Sequence, residues 1–86
     1  MKLEDEKVHW RQTGAQDAAN VMDANQIEEE LGAHPSSAKI REWLKDSVEP
    51  DDFEFPSGAT ESEQTALLDE WMKGWADHAA RVMKAR

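Results

Sequence analysis

The side chains in this chain best suited to acid–base or metal chemistry are His9, His34 and His78, and each stands apart from the others. None has a second histidine at i, i+4, the spacing that puts two imidazoles on one helix face to share a metal. There is no cysteine, so thiolate ligation and disulfides are excluded. The serines fall in no nucleophile-elbow pattern, and no glycine-rich loop resembles a phosphate cradle. Carboxylates are plentiful, but general acid chemistry needs one held in a pocket, and abundance implies none. A chain of 86 residues also offers little concave volume for a substrate. The expectation is a non-catalytic protein with no metal and no cofactor.

Binding chemistry is better represented. Residues 49 to 63 carry six carboxylates and no lysine or arginine, and Phe53 and Phe55 flank Glu54 among them. Phenylalanine is uncommon in flexible linkers, the alternative for this stretch, so 49–60 reads as an ordered acidic loop that lays its rings across helices. Trp43, Phe53 and Phe55 as apolar anchors, with Asp51, Asp52 and Glu54 for charge, form a candidate partner-binding set. Nineteen acidic residues against ten basic give a net charge of -9. That excess favours solubility and opposes direct nucleic-acid binding, and partners chosen by charge should present basic surfaces. No apolar run approaches the roughly 20 residues that span a membrane, and MKLEDEKVHW does not resemble a signal peptide. A cytoplasmic protein is expected.

These residues need elements to position them. One compact all-α domain of three or four helices fits the length. Pro35, Pro50 and Pro56 mark breaks, and no alternating β-branched run suggests a strand. The first helix covers about 4–22, with Leu3, Trp10, Gly14, Ala18 and Val21 on one side and Ala15 and Ala19 widening it. A second, about 25–31, points Ile27 and Leu31 inward and stops at Gly32. A third, about 36–48, has Ile40, Trp43, Leu44 and Val48 as its apolar side. The last, 61–84, opens on the capping box Thr60–Glu63 and carries a stripe of Leu67, Leu68, Trp71, Trp75, His78 and Val82.

The last helix also poses a packing question, in EWMKGW. Trp71 and Trp75 are surface neighbours and predict one aromatic ridge bordered by Gly74. A mid-helix glycine costs about 1 kcal/mol relative to alanine, so close approach of a neighbouring element into the notch it leaves is the expected reason for it. Trp10, Gly14 and Ala18 supply the facing surface. The first and last helices should therefore cross, each tryptophan lying over small residues of the other helix.

Trp71-Met72-Lys73-Gly74-Trp75, followed by Ala76, Ala79, Ala80 and Val82, resembles the second helix of ribosome modulation factor-like proteins. Thr13-Gly14-Ala15-Gln16-Asp17-Ala18 is similar to that family's first helix, and Pro56-Ser57-Gly58 to the turn before its second. The resemblance implies a paired-helix fold and a bacterial or phage origin, with a ribonucleoprotein as partner. The chain differs in its acidity and in the added segment from about Ile27 to Val48.

That segment supports a second reading, a helix-turn-helix DNA-binding regulator. Ile27, Leu31 and Gly32 would form its first helix and turn, and Pro35, Ser36, Ser37, Lys39 and Arg41 would open a recognition helix with Ala38 facing inward. A third reading takes Glu49, Asp51, Asp52, Glu54, Glu61 and Glu63 as a row of phosphate mimics inhibiting a nucleic-acid-binding complex. The reading that draws most on the residues is a small acidic regulatory protein that associates with a larger protein or ribonucleoprotein. A homodimer is an alternative use of the same surfaces.

Overall fold

The computed structural model describes residues 2–85 and forms four α-helices: α1 (Leu3–Val21), α2 (Ala24–Leu31), α3 (Ser37–Ser47) and α4 (Glu61–Lys84). A single 3₁₀ turn, Pro50–Asp52, interrupts the loop between α3 and α4. No strand occurs among the described residues. The boundaries follow local chemistry. Asp23 ends any continuity between α1 and α2, because its side chain accepts from the Gln26 N–H while the Gln26 amide accepts from the Asp23 N–H. Ser36 caps α3 through the Lys39 N–H, and Thr60 with Glu63 closes a full capping box on α4.

All of the other helices pack on α4. Its buried residues include Leu67, Trp71, Met72, Trp75, Ala76, Ala79 and Met83, more than one stripe can hold. The contact with α1 is the most extensive. There the two backbones touch: a methyl group added to Gly14 would overlap the Trp71 carbonyl and stand 3.1 Å from its Cα. One added to Gly74 would meet Arg11 in the same way, again 3.1 Å from its Cα. Each glycine thus takes the other helix's main chain, an approach that any Cβ would prevent. Above this contact the guanidinium of Arg11 reaches across to Glu70, Nη2 to Oε2 at 2.6 Å and Nε to the same oxygen at 2.8 Å. Glu70 is buried, so the charge-assisted pair, joined by Lys73 Nζ at 3.5 Å, keeps its carboxylate satisfied.

The expected helix pairing is therefore present, with two corrections of detail. The closest approach is backbone to backbone rather than indole over backbone. Trp71 and Trp75 do not act as one ridge toward α1, since Trp75 packs against Trp43 of α3 at 5.9 Å while Trp71 meets the loop. Val21, placed by periodicity on the core side of α1, is exposed, and so is Ala19. Val21 is the helix's last residue, and the chain turns away at once to begin α2.

Candidate functional site

The loop after α3 begins with Val48 against the core and is bent by the 3₁₀ turn, whose Phe53 N–H donates to Pro50 O at 3.2 Å. That turn aims two rings back at the helix pair. Phe55 stacks on Trp10 of α1 with centroids 5.1 Å apart and planes 3° from parallel. Phe53 meets Trp71 of α4 edge-on at 4.9 Å and Trp10 at 5.9 Å. Offset-stacked and edge-to-face pairs of this kind favour order beyond the area they bury. The segment 49–60 is thus an ordered loop, and its two phenylalanines are half-buried within the molecule.

Between this loop and α1 lies an open cleft of about 520 Å³. Trp10, Phe53, Phe55 and Trp71 form its aromatic surface, and Glu6, Asp17, Asp52 and Glu54 its carboxylates. His9, Thr13 and Pro56 complete the lining, which includes no lysine or arginine. Asp17 is anchored, accepting from the Trp71 indole N–H at 2.9 Å. Among the described residues, Glu6, Asp52 and Glu54 enter no ion pair. The site thus joins aromatic side chains to carboxylates that, among the described residues, enter no ion pair.

The set expected from the sequence is divided by the fold. Asp52, Phe53, Glu54 and Phe55 meet in the cleft, Asp51 is exposed outside its lining, and Trp43 lies on α3 beside Trp75. Trp10, Gly14, Ala18, Trp71, Gly74 and Trp75 are all buried. Glu6, His9, Thr13 and Asp17 join the site without having been expected there. Their spacing around Trp10, close to i, i+3, i+7 and i+11, is a helical stripe and is the signal that could have found them. A second hollow of about 880 Å³ lies on the other side of Phe55, bounded by Lys45, Pro50, Glu61, Leu68, Asp69 and Met72. It is larger and more apolar, but its charges are of mixed sign.

The fold also locates the remaining motifs of the sequence. α2 and α3 each lie on α4, with little contact between them. Ala38 is exposed rather than inward, and Arg41 is half-buried in its place, with Nε closed off and unbonded. The six loop carboxylates are divided: Asp52 and Glu54 face the cleft, Glu61 faces the second hollow, and Glu63 turns back to the Thr60 N–H. No group of three metal-ligating side chains gathers among the described residues. No helix among them is long and apolar enough to cross a membrane. Comparison with protein-family models, curated proteins and solved structures finds no match to this chain.

Proposed function

We propose that this chain is a small non-catalytic regulatory protein that associates with a larger protein or ribonucleoprotein through the cleft between α1 and the 49–60 loop. One observation carries the reading: the cleft gathers four aromatic rings and four carboxylates from three elements, and no lysine or arginine is in its lining. Phe53 and Phe55, which are only partly buried, supply apolar contact to a partner, and the carboxylates supply orientation and on-rate. The net charge of -9 directs this toward a basic surface on the partner and away from phosphates. A role at the ribosome, as the resemblance implies, would then run through a basic ribosomal protein face rather than through RNA.

Docking is favoured over a helix-turn-helix role because α2 and α3 lean on α4 rather than on each other, and because Arg41 is drawn in beside Glu42 and Asp69. The test is capture from a native lysate with the wild-type chain and with Asp52→Asn/Glu54→Gln, both side chains being exposed. A specific partner whose recovery falls about tenfold in the variant, as loss of two charge contacts implies, supports docking at the cleft. Equal recovery by both proteins, or salt-dependent retention of duplex DNA, contradicts it.

A further inference from the structure

We propose that the second hollow, along α4, is a separate binding site for a small amphipathic carboxylate, a linear apolar chain with one anionic head. It lies apart from the docking cleft and shares only Phe55 with its lining. The head is assigned from Arg41. In a chain of net charge -9 carboxylates abound, yet Arg41 enters no ion pair among the described residues, and its buried Nε makes no hydrogen bond. The side chain is half-buried. A cation partly withdrawn from water without a counter-ion is costly, and an incoming anion removes that cost. Lys45 follows one turn later on α3 and is also free of ion pairs.

Arg41 and Lys45 line a recess of about 200 Å³ that adjoins the hollow of about 880 Å³, since Lys45, Asp69 and Met72 belong to both. The carboxylates nearby do not cancel the two cations. Asp69 is held by Lys73 Nζ at 3.3 Å, and Glu42 is exposed and lines the recess alone. Glu61 stands in the first turn of α4, where the positive helix end offsets its charge. It marks the opposite end of a groove that follows α4 to Met72, a length of roughly 16 Å.

The tail is assigned from what lies between those ends. Pro50, Phe55, Leu68 and Met72 make the surface apolar. The polar side chains in the middle have spent their donors, Thr65 Oγ1 on the Glu61 carbonyl at 3.0 Å and Gln64 Nε2 on the Ala59 carbonyl at 3.2 Å. An extended peptide laid there would find no side-chain donor for its carbonyls, whereas an alkyl chain needs none. An apolar hollow of this size with polar groups gathered at one end has the form of a small-ligand site.

The experiment titrates the full chain near neutral pH with octanoate, octan-1-ol, octylammonium and acetate. Binding is followed through the Met72 and Leu68 methyl resonances and the Arg41 Nε–H. Octanoate is expected to move all three and to bind about tenfold more tightly than octanol or acetate. Octylammonium is expected to bind more weakly than octanoate, the reverse of the order that a net charge of -9 alone would give. Arg41→Gln/Lys45→Gln should remove the advantage of octanoate over octanol, with octanol affinity and the helical circular dichroism unchanged. Lys45→Gln alone, at an exposed position, should weaken octanoate about threefold and serves if the double variant does not fold. Equal affinity for octanoate and octanol overturns the proposal, as does tighter binding of octylammonium. Shifts that bypass Met72 and Leu68, or octanoate binding that Lys45→Gln leaves untouched, also overturn it. None of these results bears on docking at the cleft, because Asp52 and Glu54 lie outside this site.

Discussion

At the scale of single residues, Gly14 and Gly74 decide how close α1 and α4 can lie. Helix propensity alone favours alanine at either position by about 1 kcal/mol. The structure opposes that gain, because the new methyl would meet the main chain of Trp71 or Arg11, which cannot swing aside as a side chain can. Overpacking of this kind costs about 1–3 kcal/mol, and backbone contact puts it at the upper end. Gly14→Ala and Gly74→Ala are each expected to destabilise the protein by about 2 kcal/mol or more in urea denaturation. A rise in stability with either would show that propensity wins and that the backbones are not in contact. Arg11 is tied to the same contact, since it supplies both the carbonyl under Gly74 and the cation for Glu70.

At the scale of elements, α4 depends on its start. Thr60 Oγ1 accepts from the Glu63 N–H at 3.1 Å, and the Thr60 N–H donates to Glu63 Oε1 at 2.9 Å. The Thr60 backbone bond, followed by its side-chain bond, holds the Glu63 carboxyl below its ordinary value. A carboxyl lowered in the folded state contributes stability that is present above its unfolded value of 4.5 and lost as pH falls through the lowered one. Thr60→Ala should cost about 1 kcal/mol near neutral pH. In Glu63→Gln, the part of the acid destabilisation that sets in below 4.5 should shrink, as measured by urea midpoints across that range. An unchanged pH profile would mean that the reciprocal cap is not formed in solution.

This box is legible in the sequence because it is local, a Thr and a Glu three residues apart before an apolar run. Ser36 before α3 and Gly32 after α2 are signals of the same range, whereas α1 starts after Lys2 with no side-chain cap. The reciprocal cap at Asp23 and Gln26 is equally local but stands outside the apolar pattern, so periodicity does not point to it. What local pattern cannot supply is the number of neighbours each helix has. A stripe assigns one face to the core, yet α4 is covered by three helices, so Met72, Met83 and Glu70 are buried beyond the stripe. Val21 fails in the opposite sense: it has the right angle on α1 but is the last residue of that helix and is exposed.

At the scale of the whole molecule, the loop rings and the helix pair form one structure. Phe53 and Phe55 are chain-distant from Trp10, and no spacing rule links them. The acidic loop is therefore legible as a feature, while the cleft it makes with Glu6, His9, Thr13 and Asp17 is not. An acidic loop free in solvent would be a diffuse source of negative charge. Held on Trp10 and Trp71, the loop places Asp52 and Glu54 along one cleft beside the aromatic side chains. The central claim is thus that Gly14 lies against the Trp71 main chain and that the 49–60 loop is closed over the same helix pair. A ¹³C-edited NOESY spectrum tests it most directly. Cross-peaks from Gly14 Hα to Trp71 Hα, together with cross-peaks from the Phe53 and Phe55 rings to the Trp10 and Trp71 indoles, are predicted. Absence of the glycine cross-peak, or phenylalanine rings that contact neither indole, would contradict the account.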